Sequence, residues 1–477
     1  MGRFLRRFTF ALVLLAAFPA AARCDMDLRL LDAEAERLEV AFACDADSDL
    51  TFAFSYGETY RHVLDIRDGS GAPVREEDGE FTFVSHDGRV AGRYRLALGA
   101  MAEAMNDNDE ARRHGGSVLA PAGSWLLRPG GDDRELALAV TAPAGSHFVT
   151  GMPKREGRYR IQSRVVQWAG YSAFGHMQVR EVTLPGPLAL VRENVEKDRQ
   201  QAVLRIAVLD GDMSVSRPVL LDWVEESARI FADYWGGLPL SEAAAFLVPS
   251  PGREGMVFGR QMGIGGGSLI TLVGSRATRE QLYGGWHLIH ELNHLGHPMI
   301  AGRHGWLMEG IATYTEPVLR ARAGWRTREQ LWDEFVRFMP RGAYGLSGIG
   351  LARAGFRYTY WGGALFMLLA DIDLRRNSGG RLGLEDCLQG VVAAGGASTS
   401  FWRLSRYIAA CDRATGIDTF GRFRRLYVDG TSDVDLDRLW RDLGVIWQDG
   451  AVRFDENAPL AAIRQAIETG RKRPLTQ

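Results

Sequence analysis

The chain has 477 residues, 46% of them hydrophobic and 24% charged, with a formal net charge of -2. A globular composition at this length is too much for one ordinary core and predicts about two to four domains. The near-neutral balance lacks the basic excess of a nucleic-acid binder, so no nucleic-acid partner is expected.

Residues 1–22 read as a processing signal. "MGRFLRR" is a charged leader, "FTFALVLLAAFPA" an apolar stretch, and Ala20, Ala21 and Ala22 form a small-residue cleavage site. The apolar stretch is short for a spanning helix of roughly 20 residues. Cleavage and export are expected, to the periplasm or outside of a bacterial cell. No later segment is apolar for long enough to span a membrane, since "ALFMLLADIDLRR" meets Asp371 too soon. Export implies an oxidising compartment for Cys24, Cys44, Cys387 and Cys411. Two local bridges fit their spacing, but four cysteines allow three pairings and the sequence does not choose.

From 23 to 190 the expected unit is an all-β, sandwich-like domain. "RLEVAFAC", "LTFAFSYG", "EFTFVS", "GRYRLALG", "ELALAVTAP" and "YRIQSRVVQWAG" read as short strands, separated by turn clusters such as "DGSGAP" and "RPGGDD". This part carries no cluster of chemically active residues. A second unit is expected over 191–400. It opens with a helix over 219–235 and a strand, "AAAFLVPS", followed by a glycine-rich segment. Helical segments then dominate, among them "REQLWDEFVRFM" and "WGGALFMLLADIDLRR", and continue through a C-terminal stretch, 401–477. The fold class is therefore α+β and multidomain. The glycines at 263–267 lack the Lys-Ser/Thr ending of a phosphate loop.

The chemistry concentrates in "GGWHLIHELNHLGHP", residues 284–298. Thr278 and Gln281 form a capping-box signal, and Gly296 with Pro298 supplies a stop, which predicts one helix over about 279–295. His290 and His294 are four residues apart, so their rings share one helical face, with Glu291 beside them. This is H-E-x-x-H, in which two imidazoles bind zinc and a carboxylate works on the metal-bound water. A catalytic zinc site usually has a third protein ligand. His297 is one candidate, but the helix ends near Gly296 and turns it away. Glu309, in "GWLMEGIATYTEP", is the better one: the segment reads as a second helix, and Gly310 would let it approach the histidines closely.

"HELNH" followed by "WLMEGIATYTE" resembles the gluzincin metallopeptidases, above all the membrane-alanyl and leukotriene-hydrolase-type zinc aminopeptidases and the glycyl aminopeptidase family. Trp306 to Glu316 matches W-L-x-E-G-x-A-x-Y-x-E, and "YWGGALFMLLADIDLRRNSGGRLGLEDCL" is similar to a segment of the glycyl family. The resemblance covers roughly 215–395. It implies a thermolysin-like, mostly helical zinc peptidase domain. One zinc ion would sit on His290, His294 and Glu309, with Glu291 as general base. Tyr360 falls on the family's catalytic tyrosine; Tyr358, two residues away on what reads as an extended segment, is the alternative. Three features depart from the families. The loop from His294 to Glu309 is shorter than in the alanyl type, Gly362 replaces a lysine, and Gly265 stands where a glutamate would hold the substrate's free amino terminus. The expected activity is hydrolysis of a peptide or protein substrate, with exo- and endopeptidase action both open. A zinc hydrolase of a non-peptide substrate and a non-catalytic binding module are the alternatives.

Around the centre, His287 is expected to orient a ligand, to line the cleft, or to be satisfied by backbone. Glu316 is expected to bond a ligand histidine or to be solvated. Trp286, Trp306 and Trp361 read as core.

Overall fold

The computed structural model describes residues 23–56, 58–107, 109–187 and 201–470. The expected signal segment and the expected junction at 190 fall outside them. Among the described residues no helix is long and apolar enough to cross a membrane.

The N-terminal part builds three sheets. The largest has seven strands, in the order Lys154–Arg155, Arg158–Gln162, Glu135–Thr141, Arg23–Leu30, Leu38–Asp45, Arg89–Leu96, Val63–Asp68. Its strand Arg23–Leu30, which the sequence reading passed over, alternates buried and exposed positions and pairs in parallel with Glu135–Thr141. Two four-stranded sheets pack against it. Phe42 of the large sheet meets Phe52 and Phe83 of one of them, with ring centroids 4.6 and 4.9 Å apart, so the layers share one apolar core. Cys24 lies opposite Cys44 in the antiparallel register, and a disulfide joins them. "GRYRLALG" is a strand only to Leu96; Leu98–Met105 is a helix.

A five-stranded sheet organises the second part, in the order Met177–Pro185, Gln201–Leu209, Glu242–Ser250, Gly267–Gly274, Met256–Met262. Met177–Pro185 precedes the junction expected at 190, yet it pairs along its whole length with Gln201–Leu209 in this sheet. The central strand Glu242–Ser250 has parallel neighbours on both sides. That explains its nearly continuous apolar run, because such a strand is covered on both faces. One face packs on helices. The other packs on the N-terminal part, where Leu119, Val149 and Tyr171 meet Phe246, Val248 and Ile270.

The helices include Arg217–Trp235, Gly305–Arg322 (called the glutamate helix below), Arg328–Phe338, Phe356–Asn377 (the tyrosine helix), Leu384–Ala393, Leu404–Thr415 and Ala461–Thr469. Arg217–Trp235 has Pro218 in its first turn and ends on Gly236 at φ 74°, the usual start and stop of a helix. A second disulfide, Cys387–Cys411, ties Leu384–Ala393 to Leu404–Thr415. The C-terminal stretch is not separate: Tyr407, Ile463 and Ile467 belong to the same core as the glutamate and tyrosine helices.

Two local expectations fail. The helix expected over 279–295 is broken. Thr278 and Gln281 do form the capping box of Arg279–Gly284, but Gly285 is extended at φ -76°, ψ 149°, and a new helix covers His287–Asn293. Two successive glycines, each about 1 kcal/mol worse than alanine in a helix, give the chain no reason to continue through them. Gly310 does allow a close approach, but to a different partner. A side chain there would collide with the backbone of Gly363, so this glycine pair lets the glutamate and tyrosine helices cross in backbone contact.

Candidate metal centre

The helix His287–Asn293 is fixed by Asn293, whose Oδ1 accepts from Trp235 Nε1 at 2.8 Å. His290 projects from this helix, and His294 follows in a 3-10 turn, His294–Gly296. The break upstream does not disturb their one-turn spacing, and their ring centroids are 5.0 Å apart. The glutamate helix brings Glu309 Oε2 to 3.1 Å from His290 Nε2 and 3.6 Å from His294 Nε2. One donor atom from each of the three residues lies within 4.8 Å of the others. Two neutral imidazoles and a carboxylate at this separation suit zinc with one position left open.

Burial works against charge on Glu309, but the hydrogen bonds to His290 and His294 outweigh it and hold the carboxyl well below its usual range. It is therefore an anionic donor. His297 lies outside this group of three. Its Nε2 lies 2.8 Å from His294 Nδ1, and its Nδ1 lies 3.3 Å from Pro298 O. With the Nδ1 hydrogen given to Pro298 O, His297 Nε2 accepts from His294 Nδ1, which leaves the lone pair of His294 Nε2 facing Glu309. Burial pushes the His297 ring down to about 3, so it stays neutral and able to accept. Replacing His297 with alanine should weaken zinc binding by about 10- to 100-fold, the usual effect of losing a ligand's hydrogen-bond partner. Competition against a chromogenic chelator measures this; an affinity within twofold of the parent would refute the role.

These residues face a cavity of about 580 Å³, lined also by Glu291, His287, Trp286, Met299, Tyr360 and the strand segment 257–261. Glu291 lies against that edge strand at Gly259, where an added Cβ would come 2.7 Å from Glu291 Cγ. Tyr360 and Tyr358 lie in the first turns of the tyrosine helix, not on an extended segment. Two residues along a helix turn the side chain by about 200°, so the two cannot share a side. Tyr360 faces the cavity, its ring centroid 6.2 Å from that of His290, while Tyr358 packs on Tyr344. Burial, with the charges of Glu309 and Glu291 behind it, raises the Tyr360 hydroxyl above its ordinary range, so it remains a donor.

The remaining candidates fall elsewhere. Glu316 is buried and its Oε1 accepts from Arg320 Nη1 at 2.7 Å, so it neither bonds a ligand histidine nor meets solvent. Burial lifts it to about 7 against the pull of Arg320. Gly265 lies in the turn after the edge strand, at φ 74°, and lines a second cavity. Beyond Gly259, the edge strand brings Arg260 and Gln261 to the metal cavity, and sequence reasoning missed both. Trp306 is core as expected, but Trp286 is exposed and stacks on His287 at 3.9 Å between ring centroids. Burial lowers His287 to about 4.

Comparison with solved structures finds neighbours for the fold. An aminopeptidase N family protein from Idiomarina loihiensis matches with a TM-score of 0.60 and 14% identity, over 91% of this chain and 82% of its own. The chain shares its fold. An M1 zinc metallopeptidase from Deinococcus radiodurans, solved with a Tyr-Ser-Ala substrate, matches at a TM-score of 0.49 and 15% identity, over 87% of this chain and 95% of its own. No family model and no curated protein matches the sequence.

Proposed function

We propose that the protein is a zinc metallopeptidase. The observation that carries the reading is the joint placement of His290, His294 and Glu309 with Glu291 and Tyr360 around one cavity. His290, His294 and Glu309 would hold one zinc ion per chain. Bound there, zinc would polarise the scissile carbonyl and would make a water acidic enough to ionise near neutral pH. Glu291 takes a proton from the attacking water and delivers it to the leaving nitrogen as the C–N bond breaks. The Tyr360 hydroxyl donates a hydrogen bond to the oxygen on which negative charge develops. His297, through His294, keeps one ligand ring in the required tautomer.

We read the five-stranded sheet with the histidine and glutamate helices as a thermolysin-like arrangement. Export belongs to the same reading, supported by the sequence of 1–22 and by two disulfides, which persist in oxidising compartments.

The test is cleavage of a peptide mixture followed by mass spectrometry, with bound zinc measured in the same sample. Cuts that stop on chelation and return with one equivalent of zinc are expected. Stoichiometric zinc without any cut would overturn the peptidase reading in favour of a non-peptide substrate or a binding module. Failure to bind zinc would overturn the metal centre itself.

A further inference from the structure

The carboxylates lining the metal cavity are Glu291 and Glu309, and both have work of their own in the reading above. The charged residue added by the edge strand is Arg260, a cation paired with Asp109 of the N-terminal part. A free amino terminus brought here would be an ammonium beside a metal cation and an arginine, with no spare anion. Desolvating an unpaired charge in that way is costly. A neutral stretch of backbone meets no such penalty.

The strand Met256–Met262 is at the edge of the five-stranded sheet, paired with Gly267–Gly274 on one side and, among the described residues, with no strand on the other. An unpaired edge is a template for an extended chain. Gln261 lies on it, facing the cavity, and its Nε2 has no hydrogen-bond partner among the described residues. The terminal torsion of an amide is soft, so turning about it can present either nitrogen or oxygen to a neighbouring backbone.

The apolar surface is concentrated at the same place. Phe258, Trp286 and Met299 line the cavity and are exposed, and exposed Phe356 stands edge-on to Tyr360 with ring centroids 5.6 Å apart. Exposed apolar side chains grouped around a cleft mark a binding surface, unlike the same residues scattered singly. Nor does the surface stop there. Met299 pairs in register with Phe401, which is exposed and lines the second cavity, of about 720 Å³, with Trp168 and the turn after the edge strand. The same run of chain thus lines the metal cavity with 257–261 and the second cavity with 264–267. An extended segment beside it has room to continue past the bond to be cut.

We infer that the cleft takes a chain-internal segment, extended along Met256–Met262 and carrying bulky apolar side chains at the scissile bond. The inference rests on the zinc peptidase reading and narrows it to endopeptidase action. Water adds across an internal peptide bond, giving a new carboxylate and a new amine. Gln261 is a positioning residue that holds the substrate backbone, and Phe258, Trp286, Met299 and Phe356 form the walls that select side chains.

The experiment uses zinc-loaded full-length protein and decapeptides acetylated at one end and amidated at the other, with Leu-Phe or Gly-Ser at the centre. Free tripeptides run beside them, and Glu291→Gln is the catalytic control. Internal cuts in the blocked Leu-Phe peptide are expected, with kcat/KM about 10-fold or more above the Gly-Ser peptide, the discrimination a modest apolar pocket gives. Trp286→Ala should shrink that ratio. Gln261→Ala should raise KM about 3- to 10-fold with kcat nearly unchanged, the effect of one lost hydrogen bond in binding. Glu291→Gln should bind a fluorescent blocked Leu-Phe peptide more tightly than the Gly-Ser one, by anisotropy, without cutting either. Cuts confined to the first residue of free peptides would overturn the inference and leave the peptidase reading standing. Absence of any cut, together with equal binding of both blocked peptides by Glu291→Gln, would overturn both.

Discussion

Glu291→Gln lowers kcat by about 100- to 10,000-fold, the range for removing a general base, and leaves zinc content unchanged. The size follows from what the substitution spares. Glu291 is outside the triad whose donor atoms converge, so the amide removes no ligand. Its stem rests against Gly259, where the missing Cβ leaves room for it. Glutamine has the same shape and keeps that packing. What it loses is the ability to take a proton from water and return it to the leaving nitrogen. Steady-state kinetics on a cleaved peptide, with zinc measured by atomic spectroscopy on the same preparation, separates these effects. A variant that retains its zinc and more than a tenth of its activity would show that another group is the base. A variant that loses zinc would show that Glu291 has a structural part in the centre.

The centre was legible in the sequence where its geometry is local. His290 and His294 meet because four residues make one turn, and they do so although the helix around them is half as long as its periodicity suggested. Glu309 was legible because a second helix carries it. The parts that escaped depend on contacts distant in sequence. Nothing around Gly310 says that its neighbour is Gly363, because helix crossings are decided by the whole packing. His297 competed as a ligand on spacing alone. Only the turn after His294 shows that it meets the far nitrogen of that ring. Gly265 was aligned through a glycine-rich stretch with little pattern to hold a register, and the structure brings Gln261 to the cleft in its place. Tyr360 was singled out by its motif, but that it and not Tyr358 faces the cavity needed the helix, which separates two side chains that an extended segment would have put together. In the N-terminal part the strands were legible from alternation. Their parallel pairing across more than 100 residues, Arg23 opposite Glu135, was not.

Asp371 shows the same limit, and it leads to the second large effect. In the sequence it interrupts an apolar run and so argues against a membrane span. In the structure it is buried in the tyrosine helix, with its Oδ1 2.8 Å from Arg375 Nε and its Oδ2 accepting from Tyr314 of the glutamate helix at 2.7 Å. Arg375, 0% exposed, also reaches Glu385 of the next helix, Nη2 to Oε2 at 2.9 Å. Burial alone would raise Glu385, but Arg375 and Arg322 hold it below its ordinary range, so it is a charged partner. The network therefore ties together the helices that carry Glu309 and Tyr360. Arg375→Met keeps most of the apolar stem and takes the shared cation from two buried carboxylates, leaving Asp371 the Tyr314 hydroxyl and Glu385 the more distant Arg322. The expected loss is about 3–5 kcal/mol of folding free energy, the range for breaking a buried pair from one side. Adding Asp371→Asn and Glu385→Gln should recover part of it, because a neutral buried group costs less than an unpaired charge. Urea unfolding monitored by tryptophan fluorescence measures both. A loss under about 1 kcal/mol, in the range of exposed ion pairs, would mean that water reaches the site and that packing alone holds the two helices in register.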